Sequence, residues 1–441
     1  MNMKPVILAI ALASCVRCSS PSARELTLDA ALQAAMDNHP GVEQLKAAVE
    51  QSRRQLGQAR ASLLPTLDYQ MSASHTFDDV NSSSSAAASP TSAALAAMFA
   101  SDEGEVTNAL QLTWTLYDAG RGHGIRAARA SLSAAERDLE RFREQLSVNV
   151  FTAFMSAYLA RHALAAQAQS REYFAALQKD ARARFEEGLI PESDFLTFAN
   201  SYDSAVIQEM NYTLQMRQAV IGLENLMHEP LAEDITLTLP EHPAPDGDSH
   251  DAEALIAEAL NRRADVLAMR DRVEALEHAE EQVRGSLKPS VAMGVQYQHS
   301  ENDLKNLDSN DDVAQITAQM NWRLGDGGRR RHAAGEAGAR LAQFKAQQDA
   351  LEWSVRREVR DACFRIQNAQ DRIRVLESTL ANAEKNLEIV TLRYKEGLIT
   401  VTRVTDAELN LTRARLNMIS ARTDLALARR ALTLAIGGPA Q

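Results

Sequence analysis

Residues 184–191 read RFEEGLIP and residues 393–400 read RYKEGLIT, so one chain of 441 residues carries nearly the same octapeptide twice. Upstream of the second copy, Ile366, Ala369, Ile373, Leu376, Leu380, Ala383, Leu387, Val390 and Tyr394 fall at alternating steps of three and four. Downstream, Val404, Ala407, Leu411, Ala414, Met418, Ala421, Leu425, Ala428 and Leu432 resume that alternation. Such a seam marks a coiled-coil helix. Two such helices meeting at a glycine make an antiparallel hairpin, with Gly397 ending the first and Thr400 or Thr402 capping the second. The first copy reads alike. A helix opened by Leu132, Ala135, Leu139, Phe142 and Leu146 runs to Glu187, Gly188, Pro191 and Ser193 mark the turn, and a return helix leads toward Met227. From Gly122 to Glu187 is about 66 residues, roughly 100 Å of helix at 1.5 Å per residue, far more than a globular core needs.

The duplication extends upstream of the hairpins. ARASLLPTL at 59–67 is echoed by VRGSLKPSV at 283–291, and WTLYDAGRG at 114–122 by WRLGDGGRR at 322–330. Each half therefore reads helix, proline, strand, loop, strand, glycine-rich turn, long helix, tip and return helix. The halves span 27–229 and 252–437, and the Pro-, Gly- and acid-rich stretch within 230–251 reads as a linker.

Four windows alternate with a period of two. Leu67, Tyr69, Met71 and Ala73 interleave with polar residues, as do Leu110, Leu112, Trp114 and Leu116; Val291, Met293, Val295 and Tyr297 follow in the second half, then Ile316, Ala318, Met320, Trp322 and Leu324. Each window is about ten residues, the length of a tilted transmembrane β-strand whose side chains alternate between lipid and lumen. Soluble half-buried sheets alternate too. Here a leader precedes the strands and Trp114 and Trp322 stand at strand ends, which favours the membrane. Four strands cannot close a barrel and open edges are not tolerated in lipid, so several chains must share one barrel. The polar loops after the first and third strands, FDDVNSSSSAAASPTS and SENDLKNLDSNDD, then face the exterior.

Lys4 followed by PVILAIALA has the length of a signal-peptide core, too short to span a bilayer, and places residues 1–22 as an export signal cleaved near Ser22. LASC at 12–15 also resembles a bacterial lipobox, which makes Cys15 a possible lipidation site. With Cys15 and Cys18 in or beside the leader, Cys363 has no partner for an internal disulfide. Aromatics are only 5% of the chain, and Ala, Leu, Arg, Glu and Gln dominate, so the chain is mainly helix. The formal charge of -12 argues against a nucleic-acid partner. Chemistry finds no foothold: HExxH, a Ser/His/Asp signature and metal-spaced Cys/His clusters are missing, and no cofactor is implied. DAGRG and GDGGR lack the spacing and lysine of a phosphate loop and read as strand-to-helix turns.

Taken together, the SLLP and SLKP strand starts, the YDAGR and GDGGR strand exits and the paired EGLI tips resemble the TolC-like outer-membrane factors of efflux pumps and type I secretion systems, over nearly the whole mature chain. The resemblance implies a fold that is mainly α with a membrane β part: long antiparallel coiled-coil helical hairpins plus four transmembrane β-strands per chain, a homotrimer forming a twelve-strand barrel, and an α-helical tunnel across the periplasm. It places the protein in the Gram-negative outer membrane, in contact with outer-membrane lipid. It implies docking, through a periplasmic adaptor (membrane fusion) protein, to an inner-membrane transporter of ABC or RND type. In that family the adaptor engages the tips, which assigns docking to Gly188, Leu189, Ile190, Gly397, Leu398, Ile399 and Thr400. Family members close their entrance with tyrosine, arginine and aspartate contacts, which carries an entrance-gate role to Tyr394, Asp194 and Asp406 and implies a Tyr394–Asp194 hydrogen bond. Two positions depart from the pattern: Ile399 stands where the family has an arginine, and Arg403 where it has the first lining aspartate. Arg403 is then placed to pair with Asp406 or Asp194, giving a less cation-attracting entrance. Lipidated members of the family usually have a longer segment between their cysteine and the first repeat helix than Arg24 to Leu28 provides, which tilts the reading toward the TolC or type I secretion branch and against lipidation of Cys15.

The function read from these residues is a passive export duct for solutes or secreted polypeptide. The competing class is a non-conducting periplasmic coiled-coil adaptor or envelope scaffold, for which one hairpin and added small β-domains are the expected pattern. An enzyme ranks last.

Overall fold

A computed structural model describes residues 25–76, 103–231, 236–238, 251–302 and 310–438. The expected leader 1–22 with Cys15, the loop 77–92 and most of the segment 230–251 lie outside the described residues. The first half runs β1 (Glu25–Thr27), α1 (Leu28–Asn38), α2 (Pro40–Ala61), β2 (Thr66–Thr76), β3 (Glu103–Tyr117), α3 (Arg121–Glu186) and α4 (Glu192–Met227). After β4 (Thr236–Thr238), the second runs α5 (Ala252–Arg262), α6 (Ala264–Gly285), β5 (Ser290–Asn302), β6 (Asn310–Asn321), α7 (Arg329–Lys395) and α8 (Val401–Ala435). The linker is therefore not plain coil, because β4 within it pairs in parallel with β1. Among the described residues no helix is long and apolar enough to cross a membrane.

The single helix expected before each strand pair is broken in two. In the first half the break follows from Pro40, which disfavours helical backbone at His39; His39 is extended (φ -71, ψ 122) and its Nδ1 accepts the Gly41 N–H at 3.0 Å, capping α2. In the second half no proline stands at the break. Arg263 makes the same bend (φ -60, ψ 127) and is held there by side-chain bonds. Its guanidinium donates twice to Asp265 (3.0 and 2.7 Å), once to Glu358 on α7 (2.8 Å) and once to the Ala435 carbonyl ending α8 (3.3 Å).

Strands β2, β3, β5 and β6 form one antiparallel sheet in that order. The register aligns the apolar residues of all four strands into rows, Leu67–Leu112–Val295–Ile316 and Tyr69–Leu110–Tyr297–Ala314. Rows on the other face are polar: Asp68–Gln111–Gln296–Gln315 and Thr66–Thr113–Gly294–Thr317. The apolar face stands open within one chain, with Ile316 at 76% exposure. The strands, at 11, 15, 13 and 12 residues, are longer than the ten-residue windows. β6 ends at Asn321, so Trp322 and Leu324 lie beyond the strand. Trp322 Nε1 donates to the Leu287 carbonyl (3.3 Å), and Trp114 Nε1 donates to the Leu63 carbonyl (3.0 Å), tying each strand end to the turn before its partner strand.

The turns into α3 and α7 are built by aspartates. Asp118 accepts from the N–H groups of Gly120 and Arg121 (2.7 and 3.2 Å), and Asp326 from those of Gly328 and Arg330 (3.2 and 3.3 Å). Gly120 abuts Gly285 at the end of α6 so closely that a Cβ on Gly285 would lie 2.5 Å from the Gly120 nitrogen. Below the sheet the long helices form one layer in the order α4-α3-α8-α7. Its seams are lined largely by alanine, including Ala407, Ala414, Ala421 and Ala428, which lets helices of this length lie close. Larger side chains gather where helices end: Phe154, Leu223 and Met227 under α1, and Ile256, Val266, Val355 and Val359 under α5.

Candidate functional site

Both tips are built by the same backbone device. Gly188 and Gly397 each take φ 73, a left-handed conformation that costs glycine no Cβ clash. The Gly188 N–H donates to Phe185 O (2.9 Å) and Leu189 N–H to Arg184 O (2.8 Å); at the second tip Gly397 donates to Tyr394 O (2.9 Å) and Leu398 to Arg393 O (2.9 Å). These paired bonds satisfy the last carbonyls of α3 and α7 and reverse the chain. Pro191 and Thr400 then sit at the helix starts in extended backbone, and the Thr400 side chain makes no capping bond. Ser193 and Thr402 fall inside α4 and α8, so neither is a cap.

The Leu-Ile pair divides at each tip. Leu189 and Leu398 are 68% exposed, whereas Ile190 and Ile399 fold inward against a shared cluster of Ala181 and Phe198 from the first hairpin and Tyr394, Val401 and Val404 from the second. A single apolar knot thus joins the two hairpins of one chain, leaving one bare leucine on each tip.

Tyr394 belongs to this knot. It is buried, packs edge-on to Phe198 at 5.7 Å between centroids, and has the Arg184 guanidinium 5.5 Å from its ring centre. Its hydroxyl has no hydrogen-bond partner among the described residues, so the Tyr394–Asp194 hydrogen bond implied by the resemblance is not formed. The ring is drawn into apolar packing instead. Burial pushes the Tyr394 hydroxyl above its usual range, Arg184 works against this, and Asp180 and Asp194 add to it. Asp194 lies half-buried in the first turn of α4, where a carboxylate complements the helix N-terminus. Arg403 and Asp406 are exposed on α8, and among the described ion pairs Arg403 meets neither Asp406 nor Asp194. One chain therefore brings Tyr394 and Asp194 near each other and leaves Arg403 and Asp406 facing outward.

Sequence reasoning missed the groups just above this knot. Glu408 is 3% exposed in the seam between α8 and α3, with its Oε1 accepting from Thr412 Oγ1 at 3.2 Å. Tyr173 of α3 lies beside it, with its hydroxyl 3.0 Å from Thr391 Oγ1 of α7. Burial raises the Glu408 carboxyl above the usual carboxylate range, against the hydroxyls of Thr412 and Ser170 and the Arg415 charge. The heptad at Val404, Ala407 and Leu411 steps past position 408, and only the other hairpin covers it. Among the described residues no group of His, Cys, Asp and Glu is arranged to hold a metal ion.

A family model described as outer membrane efflux protein matches residues 31–228 and 255–438. The chain belongs to that family. Solved structures share its fold. The outer membrane protein VceC from Vibrio cholerae superposes with a TM-score of 0.79 at 20% identity, covering 94% of this chain and 97% of VceC. The Campylobacter jejuni CmeC outer membrane channel gives 0.79 at 17%, covering 93% and 85%. The open state of the Neisseria gonorrhoeae MtrE outer membrane channel gives 0.75 at 17%, covering 93% and 89%. No curated relative matches the chain by sequence. This outer membrane efflux protein is thus a channel component rather than an enzyme, with its strands in the outer membrane and its helices in the periplasm. Proteins of this family generally form trimers and dock adaptors and inner-membrane transporters.

Proposed function

We propose that this chain assembles head-to-tail into a homotrimer with a twelve-strand barrel and serves as the outer-membrane duct of an export assembly. The observation that carries the reading is a pair of contacts made once inside the chain and left open at its flanks. β3 of the first half pairs with β5 of the second, but the equivalent edges, β6 and β2, have no partner strand among the described residues. Likewise α3 packs against α8, while their equivalents α7 and α4 lie at opposite flanks of the layer. Those flanks carry bare apolar side chains: Ile207, Met210 and Leu214 on α4, and Trp353, Phe364 and Val375 on α7. Repeating the α3–α8 and β3–β5 contacts as α7–α4 and β6–β2 between copies removes every open edge, which a membrane sheet requires.

The tips, Gly188 to Ile190 and Gly397 to Thr400, dock a periplasmic adaptor, with Leu189 and Leu398 as the apolar contacts. Tyr394, Asp194, Arg403 and Asp406 form the entrance gate, acting through packing at Tyr394 and through charge at the other three. An ABC or RND-type transporter supplies the energy and the cargo, solute or secreted polypeptide, and the chain itself only opens. The test is reconstitution of the full mature protein into planar bilayers with cross-linking of the same sample. A cross-linked trimer giving discrete conductance steps is expected. A soluble oligomer that does not insert would leave the coiled-coil scaffold as the better account.

A further inference from the structure

The two hairpins of one chain are pinned together at the tip knot, and Glu408 sits in the seam directly beyond it. Parting the hairpins opens the α3–α8 seam and brings this carboxyl into water. We propose that Glu408 makes hairpin separation depend on proton concentration: protonated it stays seated in the seam, and ionised it favours the parted state. This rests on the duct reading above, because separation of the hairpins is what widens the entrance.

The surroundings support that role. Tyr173 on α3 is the titratable group facing Glu408 across the seam, and Arg415 on α8 is the charged one acting along its own helix. Arg415 is held aside by Gln169 of α3 (3.3 Å), and α7 contributes the neutral Thr391 hydroxyl, already engaged with Tyr173. Glu408 forms no ion pair among the described contacts; the groups beside its carboxyl are neutral hydroxyls, Thr412 one turn along the helix at 3.2 Å and Ser170 of α3 across the seam. A buried carboxylate so placed is costly when ionised, and a protonated one is not. Burial holds its pKa above that of the exposed group, so the stabilisation of the seated state is complete below the ordinary carboxylate range. It is lost as pH rises through the raised value. Between those limits each pH unit moves the parted-to-seated ratio of one protomer by up to about tenfold. Linkage also runs in reverse, so a docked partner that parts the hairpins lowers the affinity of Glu408 for its proton.

The test compares the full-length protein with Glu408→Gln, a near-isosteric neutral substitute, and with Glu388→Gln, which removes an exposed carboxylate from α7. Two readouts are followed from pH 5 to pH 8: bilayer conductance with the periplasmic face titrated, and thermal midpoint of the detergent-solubilised oligomer. The wild type and Glu388→Gln are expected to conduct more and melt earlier as pH rises, with Glu408→Gln staying flat at the low-pH values in both. A Glu408→Gln profile that still follows the wild type overturns the proposal. Because the melting readout needs no channel, absence of conductance with a Glu408-dependent midpoint would count against the duct alone, leaving the seam linkage supported.

Discussion

Two buried ionisable groups, Arg263 against the middle of α7 and Glu408 near the tips, are treated in opposite ways. Arg263 is 1% exposed and engages two carboxylates and a helix-terminal carbonyl, tying α5, α6, α7 and α8 at one point. Burial pushes the neighbouring Asp265 carboxyl up, but its bonds from Arg263 and the charge of Arg141 outweigh that and hold it below the usual range. Glu408 forms no ion pair among the described residues, feels Arg415 only at a distance, and is held above its usual range by burial. A fully paired charge fixes a junction, whereas a buried carboxyl beside neutral hydroxyls is favoured in its protonated state. The junction midway along α7 is thereby made rigid and the tip end titratable.

The largest expected effect breaks the rigid junction. Arg263→Ala strands Asp265 and Glu358 beside a helix terminus and is expected to cost about 3 kcal/mol, the lower range for removing one partner of a buried ion pair. Thermal unfolding of the solubilised oligomer measures it, and a loss under about 1 kcal/mol would show that water replaces the guanidinium. Next is Gly285→Ala. Its Cβ would meet the Gly120 backbone at 2.5 Å, where neither chain segment can rotate away, so a cost of about 1–3 kcal/mol and lower oligomer yield are expected. Unchanged yield and midpoint would mean that the α6–α3 junction can spread.

Smaller effects belong to the tips. Gly397→Ala forces a Cβ into φ 73 with open space around it, so only backbone strain of about 1 kcal/mol is expected, visible as a small midpoint shift. Leu189→Ser with Leu398→Ser touches exposed side chains and should change stability by no more than about 0.5 kcal/mol while lowering export in a complemented strain. Full export by that double variant would remove the leucines from the docking surface. Sharpest of all is the direction of pH. Asp265 contributes stability present above the ordinary carboxylate range and lost as pH falls through its lowered value, whereas the Glu408 contribution is lost as pH rises. Hydrogen-exchange protection of residues 256–268 should therefore fall on acidification while that of 405–415 increases. Parallel changes at both sites would sink the contrast.

Much of this was legible in the residues. The two hairpins follow from the three–four alternation and from glycines whose left-handed backbone few other residues adopt. The four strands follow from period-two alternation flanked by Trp114 and Trp322. Less legible were contacts that join distant segments. His39 bends α1 into α2 beside a proline, a local signal, but Arg263 makes the equivalent bend through Glu358, ninety-odd positions away, and no local rule points to it. Tyr394 was assigned a hydrogen bond by resemblance, yet the Phe198 ring and the Arg184 guanidinium occupy its surroundings.

By itself, then, the sequence determined whatever depends on neighbours a few positions apart: helix, strand, tip and the twofold repeat, because backbone preference and side-chain periodicity act within one or two turns. Only the tertiary structure decided the β2-β3-β5-β6 order, the pairing of β1 with β4, and which flanks stay open. It also decided that one isoleucine of each tip turns inward while its leucine does not, and that Glu408 is buried. Those outcomes depend on which surfaces of two similar halves meet. The halves offer nearly the same patterns, so packing, and not pattern, breaks the tie.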